Sequence, residues 1–229
     1  MVFAYRAQPD FGTARDIADR IAIGHSYPVE SVNRWADTVA PLVGSTCDRS
    51  FLVHALFIQL RSSELAVARS ALGDIDRRRD AAEATADRLV HCAPTESFGW
   101  LAKVWAARSR SGSDPQQIRW LAEAYRTGPY ESWIEARRNP LAMTSLDRVP
   151  IGVANAATEE FFRIVGRHQF ELAFETFRRL DDETRRTIVE RLRGGRYEAH
   201  GYFARRIAAE GIAVDLPNVY GKPDRPWLR

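Results

Sequence analysis

Apolar residues in this chain recur with the period of a helix, and no other feature limits its fold so strongly. In "FELAFETFRRL", Phe170, Ala173, Phe174, Phe177 and Leu180 fall at i, i+3, i+4, i+7 and i+10. They form one apolar face, with Glu171, Glu175 and Arg178 outside it. "QQIRWLAEAYRTG" repeats the pattern through Ile118, Leu121, Ala122 and Tyr125, and Gly128 is a natural C-terminal stop. "ESFGWLAKVWAAR" carries Phe98, Leu101, Val104 and Trp105 on a wide apolar face. No stretch alternates as a hairpin would, and runs of β-branched residues are absent. The expected fold class is all-α.

The pattern predicts helices at 12–23, 29–43, 48–69, 75–92, 96–109, 115–127, 131–143, 155–166, 168–180, 182–193 and 196–210. Connections are short and marked by Gly24, Gly44, Gly73, "SGSDP" and "RGG", which implies antiparallel neighbours. Pro140 should break or kink its helix, because it lacks an N–H and crowds the preceding turn. Residues 1–143 read as a helical-repeat region. A softer boundary falls at 144–156, poor in charge and containing Pro150. Residues 157–210 read as C-terminal helices packed on the repeats. Residues 211–229 hold Pro217, Pro223 and Pro226 and read as an extended tail, pinned by Trp227 and Leu228.

Three tetrads punctuate this pattern: "PVES" at Pro28, "PTES" at Pro94 and "PYES" at Pro129. Pro94 and Pro129 are 35 residues apart, and Pro28 and Pro94 are 66 apart, close to two such steps. Trp35, Trp100 and Trp133 each follow a tetrad in the first turns of the next helix. Leu89 and Ala124 each stand five residues before a tetrad proline. Proline ends one helix or opens another. The acid two positions later favours the positive end of the new helix. The step expected near 61, "RSSEL", lacks the proline and reads as fused into the long third helix.

Trp100, Ala124 and Pro129 give the chain, over about residues 28–143, a resemblance to the tetratricopeptide group. That group stacks helix–turn–helix units of roughly 34 residues. The resemblance implies antiparallel helical hairpins stacked as a short superhelix, followed here by the C-terminal helical bundle. A narrower resemblance rests on "CAPTESFGWLAKVW", "LAEAYRTGPYESWIEARRN" and the terminal "RPWLR". These look like small tetratricopeptide-like proteins associated with bacterial exopolysaccharide assembly. That likeness implies an accessory role in polysaccharide assembly or export. It also implies the periplasm, with an anchor upstream; without it the chain reads as cytoplasmic.

Composition narrows the chemistry. Hydrophobic residues make up 45% of 229, enough for a buried core. Charged residues make up 28%, yet the net charge is only +3. Lys103 and Lys222 are the only lysines, so the positive charge is nearly all Arg. No stretch approaches the ~18 apolar residues of a membrane helix. "MVFAYRAQPDFG" lacks the apolar core of a signal peptide, so the chain as it stands is expected to be soluble.

Candidate sites are few. The histidines and acids show no metal-ligand spacing, and no phosphate-binding glycine pattern occurs. No metal, cofactor or enzymatic activity is expected. Glu159–Glu160 read as stabilising a helix start, and Asp181 or Asp182 as a helix cap. If the third and fourth helices form a hairpin, Cys47 and Cys92 lie together at its open end. They are then either disulfide-bonded or two unrelated buried thiols. The Arg pairs read as solvated faces balanced by nearby acids. Trp100, Trp105, Trp120, Tyr125, Tyr130 and Trp133 crowd one stretch of sequence. They either fill helix interfaces or edge a partner-binding groove at Tyr130, Trp133, Arg137 and Arg138. The favoured function is a non-enzymatic adaptor for a protein partner, with a polysaccharide as a second ligand class. The alternative is a nucleic-acid-binding or regulatory protein using its Arg surface.

Overall fold

A computed structural model describes residues 11–111, 114–193 and 198–212. Among them are eleven helices and no strand. In order these are α1 (Phe11–Ala22), α2 (Val29–Val43), α3 (Arg49–Ala68), α4 (Leu72–Cys92), α5 (Ser97–Ser111) and α6 (Pro115–Thr127). Then come α7 (Ser132–Met143), α8 (Ile151–Gly166), α9 (Phe170–Arg178), α10 (Asp182–Arg193) and α11 (Glu198–Ala209). The chain is all-α, as its periodicity requires. The described residues form two compact units, divided between Gly128 and Pro129. The division falls before the low-charge segment 144–156, which holds the connection 144–150 and the start of α8; α7 and α8 pack on each other. Most of the expected tail, from 213 onward, lies outside the described residues.

In the first unit α3 is the central helix, packed by α1, α2 and α4. Leu52, Ala55, Leu56 and Ile58 are fully buried along it. By length and composition α3 could cross a membrane, which corrects the expectation that no segment qualifies. Its buried face and the Arg61–Glu64 ion pair suit the core helix of a folded unit. The segment "RSSEL", Arg61–Leu65, lies within this helix. The hairpin α3–α4 is followed by α5, which packs on α4, and by α6, which packs on α5. Helix starts follow sequence rules. Asp48 accepts from Phe51 N at 2.9 Å, and Asp114 from Gln116 N at 2.7 Å, with Pro115 opening α6.

The tetrads do two different jobs. Pro28 is itself the N-cap of α2, so Glu30 sits in the first turn and pairs with Arg69. At Pro94 the turn runs longer, and Glu96 stands just before the first residue of α5. Its carboxylate accepts Phe98 N at 3.2 Å and pairs with Arg49 at 2.5 Å. Glu131 likewise is the N-cap of α7. The residues closing α4 and α6 share one conformation: Ala93 at φ −137°, ψ 75° and Gly128 at φ −139°, ψ 62°. Their N–H groups donate to the carbonyls of Leu89 and Ala124. The 35-residue spacing therefore marks a repeated backbone turn.

Gly99 shows how closely α4 and α5 approach. A Cβ there would lie 2.8 Å from Val90 Cγ1 and 3.2 Å from Leu89 Cγ. Val90 is β-branched and cannot swing away. Gly99→Ala should therefore lower stability by about 1–3 kcal/mol through overpacking, although alanine favours helix by ~1 kcal/mol. Urea denaturation checks this; an increase in stability would mean that the helices separate freely.

In the second unit α8 packs on α7, α9 and α11. Phe161, Phe177 and Phe203 are fully buried, with ring centroids 5.7 Å apart for Phe161–Phe203 and 6.1 Å for Phe177–Phe203. Each such side chain contributes about 1.5–3 kcal/mol by leaving water. Pro140 neither breaks nor ends α7, which runs on to Met143. Only the Ala136 carbonyl loses its helical donor, and that loss falls in the last turns, where few bonds remain to be disturbed. Asp181 caps α10, accepting from Thr184 N at 2.8 Å. This backbone hydrogen bond, then that of the Thr184 hydroxyl, holds the Asp181 carboxyl below its usual value.

Candidate functional site

The residues singled out at 130–138 divide by helical geometry. Trp133 and Arg137 are four apart and share one side of α7. Arg137 lies over the Trp133 ring at 5.8 Å, and its Nη1 donates to the Trp133 carbonyl at 2.9 Å. Tyr130, in the preceding turn, is 79% exposed, and Trp133 is 38% exposed. These three residues lie where a partner can reach them. Arg138 does not: it is fully buried, and its assignment to a groove edge is overturned. The reason is its spacing. Glu135, Arg138 and Asn139 fall at i, i+3 and i+4 on the side of α7 that meets α8.

That buried side holds an ion-pair system with a reciprocal pattern. Arg138 donates through Nε (2.9 Å) and Nη2 (2.6 Å) to Glu160 Oε1 on α8. Asn139 Nδ2 donates to the Ala157 carbonyl at 2.8 Å and to Glu160 Oε2 at 3.3 Å. In the opposite direction, Arg163 of α8 donates through Nε (3.1 Å) and Nη2 (2.8 Å) to Glu135 Oε1 of α7. Arg167, one turn further, donates to Glu135 Oε2 at 2.6 Å. Both carboxylates are fully buried. Each helix thus supplies a Glu and, three residues on, the Arg that serves the other helix's Glu. Glu160 is not at a helix start, because α8 begins at Ile151. Its neighbour Glu159 pairs with Arg191 instead. The sequence did carry a signal: "EARR" and "EFFR" have the same Glu–Arg spacing on adjacent helices.

The system has a closed end and an open end. Arg138, Asn139 and Glu160 are sealed, whereas the Arg163 and Arg167 side chains are 33% and 43% exposed. Tyr130 lies over the Arg163 guanidinium at 5.7 Å. The open end therefore brings Tyr130, Arg163 and Arg167 together, and neither arginine was singled out from the sequence.

The other aromatic residues belong to the first unit. Tyr125 is buried, and Trp100 Nε1 donates to the Pro94 carbonyl at 2.8 Å. Lys103 lies 4.4 Å from the Trp120 ring and pairs with Asp87; burial pushes its ammonium pKa down, against the pull of Glu83. Trp105 lines a cleft of about 460 Å³ with Leu60, Val67 and Ala106. The Arg pairs are mostly balanced as expected. Arg77 meets Asp37 and Asp74, and Arg206 meets Glu171 and Glu210. Arg78 departs from that pattern: it is buried and bound to Asp37 at 2.5 Å.

Cys47 and Cys92 are joined in a disulfide with Cα atoms 5.4 Å apart. Arg88 Nε donates to the Thr46 carbonyl at 2.9 Å and Arg49 binds Glu96, so polar contacts flank the bond. Among the described residues no three His, Cys, Asp or Glu side chains gather as a metal-binding group. No family model, no curated protein and no solved structure matches this chain.

Proposed function

We propose that this protein is a non-enzymatic helical adaptor that binds a protein partner through the face formed by Tyr130, Trp133 and Arg137. The observation that carries this reading is the exposure of two large aromatic rings, each set against a guanidinium, Trp133 on α7 and Tyr130 in the turn before it, with the α8-facing side of α7 fixed by buried ion pairs. Trp, Tyr and Arg are the residues most often found at the energetic centre of interfaces. A rigid base lowers the entropy lost when they are covered. The repeated turn before α5 and α7 supports a tetratricopeptide-like succession of helical hairpins along the chain. The disulfide favours an oxidising compartment, as an accessory of exopolysaccharide assembly facing the periplasm would need.

The test is capture of the partner from the native organism by the tagged protein and by Tyr130→Ala/Trp133→Ala. Loss of one specific protein by the variant, with its helical circular dichroism intact, is the expected result. Equal capture would reject the face. A nucleic-acid reading draws on a basic cavity of about 970 Å³ along α10, lined by Arg185, Arg186, Arg191 and Arg193. Three of these are already engaged, with Asp182, Glu159 and Glu190. Strong, salt-dependent DNA or RNA binding lost in Arg186→Ala would favour that reading instead.

A further inference from the structure

We propose that Arg163 and Arg167, beside Tyr130, form a carboxylate-binding site that receives an acidic peptide segment of the partner. This rests on the adaptor reading and names the chemistry of what it binds. Two guanidiniums converge on a single buried carboxylate, Glu135. Among the described residues it is the one acid with which either of them pairs. These two arginines and one carboxylate together carry a net charge of +1 at the open end of the ion-pair system. Donors remain as well. Arg163 spends Nε and Nη2 on Glu135, and Arg167 spends Nη1, so Glu135 does not engage Arg163 Nη1 or Arg167 Nη2.

The heads are also held ready. Glu135 is fixed within the α7–α8 interface and anchors both guanidiniums, while Tyr130 covers one face of Arg163. The rotamer entropy usually lost when an arginine binds is therefore already spent. A planar guanidinium takes a carboxylate through two parallel hydrogen bonds, and charge-assisted bonds of this kind are the strong ones. A nucleic acid would need a stripe of cations tracking its phosphates, whereas this site offers two arginines beside an exposed ring. That arrangement suits a peptide whose Asp or Glu enters the site while an apolar neighbour covers Tyr130.

The test measures binding of a labelled oligo-glutamate peptide to the full protein by fluorescence anisotropy. An oligo-glutamine peptide and a single-stranded oligonucleotide are the comparison ligands. The variants are Arg167→Gln, which leaves Glu135 paired with Arg163, and Arg186→Gln as a control on α10. The expected result is binding of oligo-glutamate alone, about tenfold weaker in Arg167→Gln and unchanged in Arg186→Gln. No binding of oligo-glutamate to the folded protein, or equal binding by Arg167→Gln, overturns the proposal. Tighter, Arg167-dependent binding of the oligonucleotide also overturns it, in favour of a phosphate site. If oligo-glutamate fails while partner capture still needs Tyr130 and Trp133, the adaptor reading stands and only this inference falls.

Discussion

Arg138→Ala is expected to cost about 3–5 kcal/mol of folding stability, because it leaves the Glu160 carboxylate buried without its ion-pair partner. Glu160→Ala should cost a similar amount for the mirror reason. The double replacement Arg138→Met/Glu160→Leu should recover most of the loss, since it removes both buried charges and keeps apolar volume. Arg137→Ala, one residue away on the Trp133 side of α7, should change stability by less than about 0.5 kcal/mol. Urea denaturation of the four variants measures all of this. Near-equal losses for Arg137→Ala and Arg138→Ala would mean that Arg138 is not buried as described.

Breaking the Cys47–Cys92 bond is expected to cost about 4 kcal/mol, the chain-entropy value for a cross-link spanning 45 residues. Thermal unfolding should then move down by roughly 10 °C in reductant or in Cys47→Ser. The flanking contacts of Arg88 with Thr46 and of Arg49 with Glu96 should keep the α3–α4 hairpin folded below that temperature. Thiol titration under denaturing, non-reducing conditions should find no free cysteine. Two free thiols in protein purified without reductant, together with no response of the melting curve to reductant, would contradict the bond.

The helices were legible because each buries a face at helical spacing, and their ends carry local signals. α2, α6 and α10 begin and end where the periodicity puts them. α8 starts four residues early, at Ile151, because Pro150 is an N-cap rather than part of a loop. The disulfide was legible as one of two alternatives, since hairpin pairing brings residues at the two open ends together. What periodicity hid was the buried charge. Arg138 and Glu160 look like surface residues in a list of charges, and only their partners on a second helix make burial tolerable. Arg163 and Arg167 escaped notice for the same reason: their place depends on Glu135, 28 and 32 residues earlier. Tyr130 and Trp133 were visible because proline punctuation fixes where α7 begins.

The most direct test of the adaptor account is site-specific photocrosslinking in the native organism. A benzophenone amino acid would replace Tyr130 or Trp133, with exposed Leu72 and Ile23 of the first unit as controls. The account predicts one discrete protein adduct from positions 130 and 133, weakened by Arg167→Gln and absent from 72 and 23. No protein adduct at 130 or 133, or the same adducts at all four positions, would contradict it.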